Sequence, residues 1–306
     1  MGLKPLVVLA VLLSGGVAVA QVSIAPRRPA SPQATTASRE ATLRVDTNLV
    51  LVPTAVFDTL SRPILGLEKE NFKLFDNGVE QPITQFSSED EPLAAAIVFD
   101  VSGSMGKMLG ASRVAARTFF KTANPEDEFC LVLFDSSPKL VIPLTKDVGD
   151  IGNEIIFTKS GGSTALLDAV ILATHELKKS TLTRKAILIF SDGGENHSRY
   201  SFKEMRNIAR ESGALIYAIG IQGNDYSPGY LSNLTEDSGG RLLQAGFEEA
   251  ITKVSLELRN RYLLGFVPAN PVRDGKYHKL QVKILTPRGL KNLRAEWRRG
   301  YYAPED

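Results

Sequence analysis

Four short, nearly unbroken apolar runs, residues 93–99, 129–134, 186–190 and 215–221, alternate through the middle of the chain with longer stretches of helical period. Such runs, with no polar residue at every second position, read as parallel strands covered on both faces. Candidate helices at 111–123, 165–179, 202–211 and 247–259 carry apolar residues at helical spacing, and Ser201 with Glu204 makes a capping box before the third. The alternation predicts an α/β fold: a doubly wound, mostly parallel sheet with helices on both faces. Residues 139–144 follow 129–134 after only Asp135-Ser136-Ser137-Pro138, too few for a helical crossover, so they are expected as an antiparallel edge strand.

On either side the pattern changes to β. Apolar residues alternate at Leu43, Val45, Leu49 and Leu51, and residues 72–75 run into Asp76-Asn77-Gly78, a tight hairpin signal with a return strand expected at 82–86. Beyond residue 261, strands are expected at 262–267, 279–285, 293–297 and around Tyr301. Too few strands lie on either side to form a stable sheet alone. Residues 41–90 and 262–306 are therefore expected to pair as a smaller β-sandwich-like domain, with residues 91–261 as the α/β domain between them. Trp297, Tyr301 and Tyr302 are expected in its core or at its edge.

Lys4 precedes an apolar run at 6–13, which gives way to small residues ending in Val17-Ala18-Val19-Ala20. This is the pattern of a signal peptide over residues 1–20, with cleavage before Gln21 and export to the periplasm or the exterior. A retained anchor is the alternative, but the run falls short of the ~20 apolar residues a span needs. Residues 21–40, rich in Pro, Ser, Ala and Thr, read as a disordered linker. No later segment is apolar enough to remain in a bilayer. The 36 basic and 34 acidic side chains are interspersed, which removes nucleic acid as the default partner. Cys130 is the only cysteine, so neither an internal disulfide nor a cysteine metal cluster can form.

The chemistry gathers at the ends of the predicted strands. Asp100 closes the first apolar run and is followed by Val101-Ser102-Gly103-Ser104-Met105-Gly106. Ligands of open α/β sheets bind beyond the carboxyl ends of the strands, and Gly103 and Gly106 permit a turn that gathers the oxygens of Asp100, Ser102 and Ser104. A second loop, Ser160-Gly161-Gly162-Ser163-Thr164, opens a helix, and Asp192 ends the third run within Ser191-Asp192-Gly193-Gly194. Carboxylates and hydroxyls are hard donors suited to Mg²⁺, Mn²⁺ or Ca²⁺, and a site with only two charged ligands leaves the cation able to accept a carboxylate from another molecule.

Asp100, Ser102, Ser104, Thr164 and Asp192 in this order resemble, residue by residue, the metal-ion-dependent adhesion site of von Willebrand factor A-type domains, over about residues 93–261. The resemblance implies direct contact of the metal with Ser102, Ser104 and Thr164, and contact often through water for Asp100 and Asp192. The flanks, with Phe72, Phe75-Asp76-Asn77-Gly78 and Arg299-Gly300-Tyr301-Tyr302, are similar to secreted bacterial von Willebrand factor A-related proteins abundant in acidobacteria. The expected function is non-enzymatic: cation-dependent adhesion to a protein that presents a carboxylate. The competing readings are a metal-dependent phosphohydrolase with Asp100 as nucleophile and an envelope protein with a vestigial site. Ser102 stands where the hydrolase would carry its second carboxylate. Glu195, Asn196 and His197 are expected as solvated loop residues near the site, Asp168 as a favourable charge at a helix N-terminus, and His175 and His278 as residues without catalytic partners. Oligomeric state is not encoded in any of these features.

Overall fold

The structure, a computed structural model, describes residues 49–221, 226–244, 246–269 and 273–305. The expected signal peptide, linker and first positions of the N-terminal β segment lie outside the described residues. In chain order the strands and helices are β1 (Val50–Phe57), β2 (Phe72–Asp76), β3 (Val79–Gln81), β4 (Gln85–Ser87), β5 (Leu93–Asp100), α1 (Leu109–Phe120), β6 (Glu128–Phe134), β7 (Pro138–Thr145), α2 (Val148–Phe157), α3 (Leu166–Leu177), β8 (Arg184–Ser191), α4 (Phe202–Ser212), β9 (Leu215–Gly220), α5 (Pro228–Glu236), β10 (Leu242–Leu243), α6 (Phe247–Arg259), β11 (Tyr262–Phe266), β12 (Tyr277–Ile284), β13 (Arg294–Trp297) and β14 (Gly300–Tyr302). Among the described residues, no helix is long and apolar enough to cross a membrane.

The central sheet has the order β10-β9-β8-β5-β6-β7, parallel except for β7, which runs antiparallel to β6 at one edge. Side chains of β5 alternate between two cores. Leu93, Ala95, Ile97 and Phe99 join a cluster that also takes in residues of α1, α2 and α6. Ala94, Ala96 and Val98 join the opposite cluster with α3, α4 and α5. Ala94 and Ala96 share that cluster with Ala169 and Ala173 of α3, and such small side chains allow helix and sheet to lie close together. A helix apolar on nearly every side belongs in the interior, and all but two of the α3 residues are buried.

The chain leaves β5 toward β6 and β7, then returns through α3 to β8 on the other side of β5. Strand order therefore reverses between β5 and β8, and Asp100 and Ser191 close those two neighbouring strands. Open α/β sheets place their ligands at such a switch point.

The remaining strands form two four-stranded sheets, β13-β1-β11-β4 and β14-β12-β2-β3. β1 pairs antiparallel with β11 and β13, and β2 with β12, so each sheet joins strands from before and after the α/β region. Val52, Val56, Leu74, Tyr262, Leu264, Phe266 and Val282 belong to a core cluster shared by the two sheets. The turn after β2 carries Asn77 at φ 47° and Gly78 at φ 84°, the left-handed pair that suits a two-residue hairpin. Its return strand differs from expectation. Val79–Gln81 pairs back onto β2, while Gln85–Ser87 crosses to pair with β11 in the other sheet. The hairpin closes immediately after Gly78, and the chain needs residues 82–84 to change sheets.

Buried arginines fasten the flanking strands to the base of the α/β region. Arg261, just before β11, donates to the Tyr217 hydroxyl, to the Gly239 carbonyl oxygen (2.7 Å) and to that of Pro53 (3.4 Å). The fully buried Asp127 accepts from Leu93 N–H (2.9 Å), Asn124 N–H (2.7 Å) and the Arg259 guanidinium. The last turn of α6 is thereby tied to the start of β5. Hydrogen bonds and ion pairs of this kind offset part of the cost of removing such charges from water.

Candidate functional site

Three loops meet above the carboxyl ends of β5 and β8. The first, after Asp100, is stitched to the second by backbone hydrogen bonds from Gly103 N–H to Gly162 O (3.1 Å) and from Gly161 N–H to Val101 O (2.8 Å). The second is stitched to the third because Asn196 and His197 both donate N–H to Thr164 O at 3.0 Å, while Thr164 N–H donates to Asn196 Oδ1 at 2.9 Å. The third returns to the first through Ser191 Oγ, which donates to Asp100 Oδ2 at 2.6 Å.

Within that frame Asp100 is fully buried; its Oδ1 accepts from Ser102 N–H at 2.9 Å. The Ser102 and Ser104 hydroxyls lie 3.3 Å apart. Asp192 is also fully buried, with Oδ1 accepting from Gly194 N–H at 3.0 Å and Oδ2 left without a hydrogen-bond partner. A Cβ placed on Gly194 would come 3.3 Å from Asp192 Oδ1 and 3.6 Å from Thr164 Oγ1, so the Asp192 and Thr164 oxygens border the same small space. Gly193 has φ 83°, and a Cβ there would meet Ser227 O at 2.7 Å. Only glycine fits that turn.

Burial pushes the Asp100 carboxyl up to about 6, with hydrogen bonds from Ser102 and Ser191 opposing the rise and the charge of Asp192 adding to it. Two carboxylates withdrawn from water near one another, one with a free oxygen, make a local excess of negative potential. Among the described residues no three His, Cys, Asp or Glu gather in a metal-binding group. The candidate donors here are instead two carboxylates and three hydroxyls, a hard all-oxygen set that fits a divalent cation such as Mg²⁺.

Several residues that support this arrangement were not singled out by their local pattern. Ala165, at the N-cap of α3, offers no side-chain cap. The loop after Asp192 caps the helix instead. Glu195 Oε2 and Ser198 Oγ each accept from Leu167 N–H at 3.0 Å, and Ser198 Oγ accepts from Asp168 N–H at 3.2 Å. Asp168 reaches outward to that loop, accepting from Arg199 N–H (3.0 Å), Tyr200 N–H (3.2 Å) and Arg199 Nε (3.0 Å). Glu195 and Asn196 are thus braces of the site rather than merely solvated loop residues, and Asp168 pins the loop in addition to sitting in the first turn of its helix. Proximity to Asp192 was the one signal in the sequence that could have drawn attention to them.

Residues 95–195 match the sequence model of the von Willebrand factor type A domain. The chain carries a von Willebrand factor type A domain. A curated protein of Borreliella burgdorferi, described as uncharacterized, is 28% identical over 135 residues, covering 41% of this chain and 39% of that relative. The chain thus spans about two fifths of the length of that relative. Similar solved structures include the conserved hypothetical protein BatB from Bacteroides thetaiotaomicron, with 16% identity, TM-score 0.48, and coverage of 54% of this chain and 97% of that one. Another is the von Willebrand factor type A protein from Catenulispora acidiphila, with 13% identity, TM-score 0.49, and coverage of 76% and 73%. The matched residues 95–195 include Asp100, Ser102, Ser104, Thr164 and Asp192.

Proposed function

We propose that this chain is an exported binding module that captures an acidic group of a partner protein at a divalent cation held by Asp100, Ser102, Ser104, Thr164 and Asp192. The observation that carries the reading is the buried, unpartnered Oδ2 of Asp192, whose other oxygen borders the same small space as the Thr164 hydroxyl. A buried carboxylate oxygen without a donor is costly, and a cation at that point relieves it. When bound, the cation supplies a Lewis-acidic position open to an incoming carboxylate. The protein's own residues fix the donor oxygens through the three stitched loops, so little ordering is left to the moment of binding.

The same donor set favours binding over catalysis. Residue 102 is a hydroxyl hydrogen-bonding to another hydroxyl, and it offers no second carboxylate to protonate a leaving group. The division into an α/β domain at 91–261 and a β domain at 41–90 with 262–306 is part of this proposal, with the β domain as the base that presents the metal face.

Affinity capture from the native envelope, run with Mg²⁺ and again with chelator, tests the function. The expected result is a protein partner retained only with Mg²⁺ and lost with Ser102→Ala plus Asp192→Ala. Retention of the same partner by that double variant in chelator contradicts it.

A further inference from the structure

At the opposite end of the central sheet from the metal loops lies a cavity of about 350 Å³, within the size range of small-molecule pockets. Thr183, just before β8, and Ser212 with Gly213, just before β9, form one side; the flanking sheets form the other. Leu49, Leu51, Leu263, Pro268 and Pro304 make much of the wall apolar, while Arg298 and His278 bring polar nitrogen.

Arg298 is the unusual group. Its Nε donates to Gly300 O at 3.0 Å, but among the described residues its two terminal nitrogens make no hydrogen bond and no carboxylate lies within ion-pair distance. Arg184, Arg210, Arg241 and Arg259 are also withdrawn from solvent, and each has a carboxylate: Asp90, Asp237, Glu257 and Asp127. Arg261 lacks one, but its two terminal nitrogens donate to three oxygens, with only Nε left unpartnered. Gly213 ends α4 at φ 67°, and a Cβ there would lie 3.0 Å from Arg298 Nη1, so the glycine leaves room for the guanidinium. Burial lowers the pKa of Arg298.

His278 is held in place beside it. Its Nδ1 lies 3.0 Å from Asp76 Oδ1, and Asp76 Oδ2 accepts from the Tyr301 hydroxyl at 2.9 Å. The other ring nitrogen, Nε2, is 4.0 Å from Asp274 Oδ1, beyond hydrogen-bond reach. We propose that this cavity binds a small organic carboxylate with an apolar body, its anionic group on the Arg298 guanidinium and its body against Leu49, Leu51 and Leu263. A planar guanidinium matches a carboxylate in geometry as well as charge. The apolar wall, with no lysine and no second arginine among the described lining residues, disfavours inorganic phosphate.

Octanoate titrated calorimetrically into the full chain in chelator tests this site apart from the metal centre. One octanoate per chain is expected, with acetate and 1-octanol at least roughly tenfold weaker and Arg298→Gln weakening octanoate by roughly ten- to hundredfold. Thr183→Trp, at an exposed rim position, keeps the guanidinium but fills the space and should also abolish binding. No octanoate binding to the wild-type chain overturns the proposal, as does equal affinity for 1-octanol or unchanged binding by Arg298→Gln. Should Arg298→Gln fail to fold, unchanged binding by Thr183→Trp overturns it alone.

Discussion

The Ser191 hydroxyl donates to Asp100 Oδ2 at 2.6 Å, so the last residues of two adjacent parallel strands are bonded side chain to side chain directly beneath the candidate metal loops. Ser191 Oγ also accepts from Gly193 N–H at 2.9 Å, so a single buried hydroxyl aligns both the Asp100 loop and the Asp192 loop. Ser191→Ala should therefore weaken Mg²⁺ binding by roughly tenfold and destabilise the fold by about 1–2 kcal/mol. Calorimetric titration and a urea melt of the variant measure the two effects.

Asp100 yields a pH prediction whose sign follows from its direction of shift. Its folded value of about 6 lies above the ordinary 3.8. Between those values the unfolded chain has ionised while the folded one stays protonated, so Asp100 lowers stability as pH rises through that window. Without a cation, Asp100→Asn should match wild type near pH 4 and be more stable above pH 7, on the order of 2 kcal/mol. Denaturant melts in chelator at the two pH values check this, and a variant less stable at both would contradict it.

The loop after Asp192 depends on a carboxylate from α3. Asp168 accepts two backbone N–H groups and pairs with Arg199, whose side chain is 82% exposed. The exposed pair adds little, so the backbone bonds carry the effect. Asp168→Ala should cost about 2 kcal/mol and raise amide exchange at Arg199 and Tyr200, whereas Arg199→Ala should change stability by less than about 1 kcal/mol. Hydrogen exchange with mass spectrometry distinguishes the two variants.

Cys130 lies fully buried in β6, and burial pushes its thiol up to about 12. A thiol so protonated is a poor nucleophile. It should resist iodoacetamide at pH 8 in the folded chain and react once urea exceeds the unfolding midpoint. Rapid labelling of the folded protein would show that β6 is not packed as described.

Much of the α/β architecture was legible because buried parallel strands need apolar side chains on both faces, and residues 93–99 and 186–190 display this without interruption. The edge strand β7 was legible from the brevity of its connection. Helix α2 was not, because Gly149 and Gly152 lower its helical propensity, and α5 opens with Pro228-Gly229, which reads as a turn. At the candidate site, Asp100, Ser102, Ser104, Thr164 and Asp192 drew attention through their places at strand and helix ends. The bracing by Asn196, Glu195 and Ser198 was not, because it joins loops some 30 residues apart through side-chain hydrogen bonds with no period. The contact of His278 with Asp76, 202 residues away in sequence, was not legible either. The register of β12 against β2, which pairs Leu280 with Asp76, brings that carboxylate into reach, and local sequence carries no trace of it.

Titration of Mg²⁺ and Mn²⁺ into the chelator-treated chain by isothermal calorimetry, beside Ser102→Ala with Asp192→Ala, tests the central claim most directly. One cation per wild-type chain and none in a folded double variant is the predicted result. Identical heats from the two proteins would contradict it.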